Sequence, residues 1–432
     1  MVSPVPAVLA PRPRGTLRAR IQGPRRAGLR RALVATAAVT TLLTGCAAPA
    51  GAPPAAASAR ADAVLKIVRD TMAAAHLKAV LVRVTVGGEE VLTRALGESM
   101  TGVPASTTMH FRNGAVAISY VATLLLRLVD QNKVSLDDKL AKWLPDVPNA
   151  DRVTLGQLAQ MTSGYPDYVL GNAEFEAAFL ADPFRQWTPQ QLLSYAVNKP
   201  LLYPPGTNWN YAHTNYVLLG LALEKATGRD MPSLLRDEVL GPLRLTGTTN
   251  SFTPAIPEPA LHAFSSERRQ ALGIPPGTSF YEDSTFWNPS WTITHGAVQT
   301  TTIHDLEATA AGLGSGRLLS RESYQRMVSP ELRGRTRAQP GCPTCGPQTD
   351  FYTYGLGVVL SGDWLLQNPM FGGYAAIEAY LPAEKIAIAV AVTYAQDAFD
   401  ATGDYRNEAD TLFRRIGAEL APGHAPPLPP AK

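Results

Sequence analysis

Hydrophobic and polar residues follow two different periods along the chain, and each period predicts a class of element. Between Ala61 and His76, apolar residues recur every three or four positions, as on one face of an amphipathic helix. Apolar and β-branched residues then fill Val80–Val86 and Val91–Leu96, on either side of Gly87-Gly88, which is typical of a β-hairpin. Helical segments alternate with Pro- and Gly-rich loops from about Val116 to Met327.

Strand patterns return near the C-terminus. They cover Tyr354–Leu360, Ala375–Tyr380 and Ile386–Tyr394, and a helical pattern over Asp404–Leu420 precedes a Pro-rich tail at residues 421–432. Because strands near both ends bracket a helical block, we predict a single α/β (α+β) domain over residues 61–420. Its expected architecture is an antiparallel sheet with the terminal helices on one face and an inserted, mainly helical lobe on the other.

The composition and charge exclude several classes of protein. With 45% hydrophobic and 17% charged residues in a chain of 432, the protein is neither disordered nor collagen-like. Its net charge of +3 is unevenly distributed, because residues 1–45 contain eight Arg and no acidic residue. Removing those eight from the 39 basic residues leaves 31 against 36 acidic residues, a charge of about −5 for the rest of the chain. A mildly acidic body argues against nucleic acid as the main partner.

The basic N-terminus resembles a bacterial export signal. Arginines between residues 25 and 31 precede an uncharged run, Ala32–Leu43, which is too short to span a bilayer but typical of a signal-peptide core. The run ends in Leu43-Thr44-Gly45-Cys46, which resembles the lipobox, in which the Cys is lipidated. We therefore expect residues 1–45 to be a lipoprotein signal peptide. Cys46 would then anchor the protein at the outer face of the cell membrane, with the Ala- and Pro-rich residues 46–60 as a tether.

Export also determines how the two remaining cysteines are interpreted. Cys342 and Cys345 lie in the segment Pro340-Gly341-Cys342-Pro343-Thr344-Cys345-Gly346-Pro347. A redox-active C-x-x-C motif normally opens a helix, which the flanking Gly and Pro residues disfavour. A zinc site would need two further ligands, and none lies at a suitable spacing. We predict a structural disulfide that holds a loop.

Several segments of the body resemble, in order, the penicillin-recognising serine hydrolases: class C β-lactamases, DD-carboxypeptidases and related esterases. They include Phe111-Arg112-Asn113-Gly114, Trp143-Leu144-Pro145-Asp146, Thr162-Ser163-Gly164-Tyr165-Pro166-Asp167-Tyr168, Pro204-Pro205-Gly206-Thr207 and Ala379-Tyr380-Leu381-Pro382. The resemblance covers nearly all of residues 61–420. It implies a β-lactamase/transpeptidase-like fold and descent from an acyl-transferring serine hydrolase.

The side chains that start this chemistry in the family are replaced here. The family nucleophile lies in Ser-x-x-Lys at a helix start, where the Lys amine, one turn later, activates the Ser hydroxyl. The matching positions in this chain are Ala115 and Ile118, neither of which can attack a carbonyl or accept a proton. The preceding Phe111-Arg112 and the helix predicted from Val116 keep the alignment in this register.

Two further family elements are also altered. The Tyr-x-Asn element becomes Tyr211-Ala212-His213, so that the Tyr is kept and the Asn is replaced by His. Gln367 stands where the family has a basic residue on a strand, and Pro369, two residues later, lacks a backbone donor. Because these residues act as a unit in the family, loss of the nucleophile alone closes the acyl-enzyme route.

The remaining polar residues near these positions allow more than one interpretation. Ser119 would point about 100° away from the Lys position on a helix, so we interpret it as a structural serine that bonds a backbone carbonyl, and Ser163 as a structural turn residue. Tyr211 and His213 could both face the former pocket and bind a ligand. Alternatively, His213 only fills the space of the Asn and bonds a loop carbonyl. We find no spacing typical of a metal or cofactor site and expect neither.

The sequence supports two hypotheses about function. In the first, the chain is a non-catalytic envelope lipoprotein, a pseudoenzyme that binds a peptide like the peptidoglycan stem, or an envelope protein, through or near Tyr211 and His213. In the second, it is an active hydrolase of the β-lactamase, DD-peptidase or esterase type with a nucleophile outside the family motif. A cleft beside Tyr211 would favour a small ligand; a cleft filled by Ile118, Met161 and Phe371 would favour a partner protein.

Overall fold

A computed structural model describes residues 54–250, 253–294 and 299–429, which form one large antiparallel sheet, two small sheets and helices around them. The helices are α1 (Pro54–Ala74), α2 (Val116–Asp130), α3 (Leu155–Ala159), α4 (Ala173–Ala181), α5 (Pro189–Ser194), α6 (His213–Thr227), α7 (Met231–Leu235), α8 (Gly241–Leu243), α9 (Ile303–Gly314), α10 (Arg321–Met327) and α11 (Glu408–Leu420). The strands are β1 (Leu77–Val86), β2 (Glu89–Met100), β3 (Val103–Pro104), β4 (Phe111–Arg112), β5 (Thr249–Asn250), β6 (Phe264–Ser265), β7 (Glu282–Asp283), β8 (Gln299–Thr301), β9 (Thr353–Tyr354), β10 (Val359–Ser361), β11 (Trp364–Gln367), β12 (Met370–Phe371), β13 (Tyr374–Leu381) and β14 (Ile386–Tyr394).

The large sheet brings the two ends of the domain together. Its strand order is β3-β2-β1-β14-β13-β11-β10-β9, with β12 also paired to β13. The N-terminal strand β1 lies antiparallel to the C-terminal strand β14, in a register that places Val82 opposite Val390. Every residue of β13 and β14 is buried, because helices cover both faces of the sheet at its centre. This explains why these two strands are nearly continuous apolar runs.

Helices on the two faces of the sheet complete the expected layers. The terminal helices α1 and α11 pack against each other, and α11 also packs on β13 and β14. On the opposite face, α9 packs on β1, β13 and β14. Gly314 of α9 allows this close approach, since a Cβ at that position would lie 2.5 Å from the Cβ of Tyr380. The predicted architecture of sheet, terminal helices and helical lobe is confirmed.

The buried helix α2 connects the sheet to the helical lobe. All but three of its 15 residues are buried, and it contacts α6, α7 and α10. Gly357, in the turn between β9 and β10, has φ +70° and lies against α2, where a Cβ would be 2.3 Å from Ala122. Because an L side chain is strained at this φ and would collide with Ala122, glycine is required there. Helix α2 therefore packs closely against this turn of the sheet.

Several element boundaries differ from the prediction: β1, β2 and β13 are longer than predicted, and three further differences have a clear local cause. The first helix begins at Pro54 rather than Ala61, so part of the segment predicted as a tether is helical. Proline suits the first position of a helix, and the alanines that follow are strong helix formers. The single strand predicted at Tyr354–Leu360 is a hairpin of β9 and β10, because Gly357 reverses the chain. The last helix begins at Glu408 rather than Asp404, where the Asn407 side chain caps it.

The predicted signal peptide and Cys46 lie outside the described residues. The described helices include none that is both long and apolar enough to cross a membrane. The predicted disulfide between Cys342 and Cys345 is present.

Candidate functional site

A cavity of about 320 Å³ lies where the N-terminal end of α2, the segment before α6 and the end of β11 meet. We call it the candidate cleft. Its lining residues are Gly114, Ala115, Val169, Leu170, Tyr211, His213, Trp291, Thr292, Ile293, Tyr352, Gln367, Asn368, Pro369, Met370 and Phe371. Four of the five altered or retained family positions, Ala115, Tyr211, His213 and Gln367, therefore share one cavity. Ile118 and Met161 are fully buried and do not line it, so the cleft remains open, with Phe371 as one wall.

Ala115 places a methyl group at the start of α2, where the family has its nucleophile. It is the N-cap residue of this helix and supplies no side-chain cap. Gly114 precedes it with φ +48°, and a Cβ on Gly114 would lie 2.7 Å from the Cβ of Pro369. Pro369 therefore packs over the entrance to the helix. Ile118, one turn later, is buried in the hydrophobic core, so neither position offers a group for acyl transfer.

The two serines nearest to these positions have structural roles. Ser119 is buried and its hydroxyl donates to the carbonyl oxygen of Val116 at 2.7 Å, as predicted. Ser163 is also buried; its hydroxyl donates to the Asn215 side chain and accepts from the backbone N–H of Tyr165. Neither side chain lines the candidate cleft.

Tyr211 contributes a neutral phenol to the cleft. Burial raises the pKa of its hydroxyl well above the ordinary value, with smaller contributions from Tyr352 and Asp167. The Tyr211 and His213 rings meet edge to face with centroids 5.3 Å apart. At neutral pH the hydroxyl therefore keeps its proton and can serve as a hydrogen-bond donor to a ligand.

His213 is held by a carboxylate rather than by a loop carbonyl, which corrects the second interpretation given above. It is the first residue of α6. The Asp167 carboxylate accepts from the backbone N–H of His213 at 2.9 Å and lies 3.0 Å from its Nδ1 atom. Asp167 is 2% and His213 13% exposed in their side chains, and the rings of Tyr168 and Trp291 lie against the imidazole. This pairing directs the other ring nitrogen, Nε2, away from Asp167.

Gln367 fixes the end of β11 instead of presenting a positive charge. It is buried, and its Nε2 donates to the carbonyl oxygen of Gly357 at 2.7 Å. The chain continues from the end of this strand through Asn368 to Pro369, whose carbonyl oxygen accepts from the backbone N–H of Ala376. Gln367 therefore supports the turn at Gly357, which lies against α2.

The disulfide loop holds the segment that carries Tyr211. The Thr344 hydroxyl, between the two cysteines, donates to the Asn210 side chain and to the carbonyl oxygen of Tyr211. Pro343 of the same loop packs on Gly171, where a Cβ would lie 2.7 Å from its ring. The disulfide is thus placed at the edge of the cleft, as a support for its wall.

Two important residues of the site were not identified from the sequence. Asp167 lies 46 residues before its partner His213, and no local spacing connects them. Trp291, whose ring lies 5.8 Å from that of Phe371, comes from a separate loop with no family motif. Within the described parts of the chain, no group of three or more His, Cys, Asp or Glu residues is arranged to hold a metal ion.

Comparison with known proteins identifies the family of this fold. The β-lactamase family model matches residues 64–413. Penicillin-binding protein 4 of Amycolatopsis lactamdurans is 32% identical over 37% of this chain and 40% of its own length. The D-alanyl-D-alanine-carboxypeptidase/endopeptidase AmpH of Escherichia coli K12 is 29% identical over 40% of this chain and 45% of its own length. The chain thus matches less than half of the length of these curated relatives.

Solved structures show the same similarity over a larger part of the chain. A D-stereospecific amidohydrolase from Streptomyces sp. aligns with 86% of this chain and 99% of its own, at 26% identity and a TM-score of 0.65. The D-amino acid amidase from Ochrobactrum anthropi SV3, in complex with D-phenylalanine, aligns with 84% and 99% at 21% identity and a TM-score of 0.69, which supports the fold. The chain therefore belongs to the β-lactamase family, the penicillin-recognising serine hydrolases.

Proposed function

We propose that this protein is a non-catalytic member of its family that binds a ligand in the candidate cleft. The observation that carries the proposal is that the cavity is open at the family's catalytic position while Ala115 stands in place of the nucleophile. A cavity of about 320 Å³ with a few polar groups on largely apolar walls has the size and character of a small-molecule site. A methyl group cannot form an acyl-enzyme, so binding would not be followed by the family's covalent step.

The ligand that we propose is a peptide like the stem peptide of peptidoglycan, with an envelope protein as the alternative partner. Tyr211 would donate to a carbonyl group of the ligand, since its phenol stays protonated. His213 would bond an amide of the ligand through the nitrogen that Asp167 leaves free. The similarity to a penicillin-binding protein and to a D-alanyl-D-alanine-carboxypeptidase supports this class of ligand.

We also propose that the protein is exported and anchored at the outer face of the bacterial cell membrane through a lipid on Cys46. The support is the order of arginines, apolar run and Leu43-Thr44-Gly45-Cys46 in the sequence. Metabolic labelling with palmitate tests this directly: the wild-type protein should incorporate label and sediment with membranes. Cys46→Ala should lose both properties, and a Cys46→Ala protein that keeps the label would refute the anchor.

Titration calorimetry with a pentapeptide that ends in D-Ala-D-Ala tests the binding function. We expect saturable binding, and we expect Ala115→Phe to weaken it at least tenfold, because the larger side chain occupies the cleft. Asp146→Asn, at an exposed position, is the matched control and should leave the affinity unchanged. Absence of binding, or binding that Ala115→Phe does not affect, would reject the cleft as the ligand site.

One observation favours a second function, hydrolysis without a covalent intermediate. An imidazole oriented by a carboxylate is the arrangement of a general base, and Asp167 holds His213 in this way. In this alternative His213 would deprotonate a water that attacks an amide or ester. Turnover of D-phenylalanine amide, abolished by His213→Gln, would establish the hydrolase; no turnover would leave the binding function.

A further inference from the structure

A second cavity, of about 360 Å³, adjoins the candidate cleft. We call it the aromatic pocket. The two cavities share five lining residues, namely Val169, Leu170, Trp291, Met370 and Phe371. Leu170 and Met370 are unusually exposed for large apolar residues, at 42% and 40%. A ligand could therefore extend from the cleft into the pocket along this common wall.

Six of the fifteen residues that line the pocket are aromatic. Phe179 lies 4.9 Å from Trp291 and 5.8 Å from Trp287, and Phe175 lies 6.2 Å from Trp291, in each case between ring centroids. Phe371 stacks on Trp291, with ring centroids 5.8 Å apart. Faces of aromatic rings attract cations, most strongly when the site excludes water.

The charged groups of the pocket are all acidic. Glu267 lines it together with Glu176 and Asp404, and no Lys, Arg or His is among its lining residues. The Ser265 hydroxyl donates to Oε2 of Glu267 at 2.7 Å, which orients the carboxylate. Glu267 forms no salt bridge with any described residue, in contrast to Glu282, which pairs with Arg268 at 3.0 Å. The carboxylate of Glu267 therefore has no counter-ion among the residues that the structure describes.

Two indole N–H groups at the pocket also lack acceptors. Trp287 and Trp291 both line it, and the Nε1 atom of each is buried without a hydrogen-bond partner among the described residues. Buried N–H groups without partners are rare, because each costs about 1–3 kcal/mol. Both atoms are enclosed in the wall, so the cavity offers a ligand the aromatic faces and the acidic side chains.

We infer that the aromatic pocket binds an organic cation, namely a primary ammonium group carried on an apolar or aromatic body, with the Glu267 carboxylate as its counter-ion. The inference deepens the proposed function, since an ammonium group of a peptide held in the cleft could occupy the pocket. Its test uses small amines and does not depend on that peptide. Failure of the peptide to bind and failure of the amine to bind are therefore separate results.

Ionisation of Glu267 gives the inference a pH signature. Burial raises the pKa of Glu267 to about 7, and the charges of Asp404 and Glu282 act in the same direction. The other titratable groups that interact with it are Tyr394 and Tyr405, which burial keeps protonated at neutral pH. Between pH 6 and pH 8 Glu267 therefore gains its negative charge, and binding of a cation should tighten as the pH rises.

The experiment compares 2-phenylethylamine, which is positively charged over this range, with its neutral N-acetyl derivative. Both are titrated against the full-length protein by tryptophan fluorescence, since Trp287 and Trp291 form the pocket wall. We expect the amine to bind at least tenfold more tightly than the acetylated compound at pH 8, and this advantage to shrink at pH 6. Equal affinities at pH 8 would overturn the inference without any variant.

A pair of matched variants assigns the effect to one residue. Glu267→Gln keeps the shape of the side chain and removes its charge, so it should weaken amine binding about tenfold, abolish its pH dependence and leave the acetylated compound unaffected. Glu419→Gln removes an exposed carboxylate elsewhere and should change nothing. A Glu267→Gln protein that is folded by circular dichroism and binds the amine like the wild type would overturn the assignment. If Glu267→Gln does not fold, two other measurements test the inference. They are the affinity of Glu176→Gln for the amine, and the relative affinities of the wild-type protein for the amine and its acetylated derivative.

Discussion

Removal of the Asp167 carboxylate should cost more stability than any exposed acidic residue, because Asp167 organises the turn that carries the site. Its Oδ1 atom accepts from the backbone N–H of His213 at 2.9 Å, and its Oδ2 atom accepts from the backbone N–H of Leu170 at 3.0 Å. The imidazole of His213 lies 3.0 Å from the same Oδ2 atom. Asp167→Ala therefore leaves three groups without their acceptor.

The magnitude follows from the burial of this pair. A hydrogen bond to a carboxylate contributes about 1.5–3 kcal/mol, so the loss of this acceptor in Asp167→Ala should lower the free energy of unfolding by about 3–5 kcal/mol. Asp167→Asn keeps one acceptor oxygen, so its expected cost is about 1–2 kcal/mol. Urea denaturation followed by circular dichroism measures both values. Asp146→Asn, at an exposed position, should change the free energy of unfolding by no more than about 0.5 kcal/mol.

A double-mutant cycle separates the pair from the rest of the turn. If Asp167 acts through His213, the costs of Asp167→Ala and His213→Ala should not add, with an interaction energy of about 1–3 kcal/mol. Additive costs, or a cost for Asp167→Ala no greater than that of the exposed control, would refute the role that we assign to the carboxylate.

Three further changes test other parts of the structure. Burial raises the pKa of Glu378 well above 4.5, so the folded state keeps a proton that the unfolded state loses above that pH, and stability should fall as the pH rises. Glu378→Met should remove this slope and raise the free energy of unfolding by about 1–3 kcal/mol, as measured by urea denaturation between pH 4 and pH 8. Replacing Cys342 and Cys345 by Ser should lower stability by roughly 2 kcal/mol, with an unchanged far-ultraviolet circular dichroism spectrum, because the closed loop is short. Gly114→Ala should lower the free energy of unfolding by about 1–3 kcal/mol, because Gly114 has a φ of +48° and contacts Pro369. Thermal denaturation measures this loss, and a variant as stable as the wild type would contradict the contact.

The central sheet could be predicted from the sequence because its strands are local features. Ile386–Tyr394 forms a strand with the predicted bounds, since nine consecutive apolar or small residues suit a strand buried on both faces. The motif around Phe111-Arg112 also predicted correctly that α2 begins at Val116. These features need no knowledge of distant contacts.

The composition of the site could be predicted only in part. Ala115, Tyr211, His213 and Gln367 were located by resemblance to family motifs, and the structure brings all four to one cavity. The partner of His213 could not be predicted, because Asp167 meets it only through the packing of a turn against the start of α6. The aromatic pocket was not predicted for the same reason, since its rings come from segments far apart in the chain.

Intact-protein mass spectrometry after incubation with penicillin and a fluorophosphonate tests the central claim most directly. Because Ala115 carries no nucleophile and Ser119 is buried and bonded to Val116, the mass should stay unchanged. An active DD-carboxypeptidase treated in parallel shows that both reagents acylate under the same conditions. A stoichiometric adduct on this protein would contradict the proposal of a non-catalytic cleft, and its peptide map would identify the nucleophile.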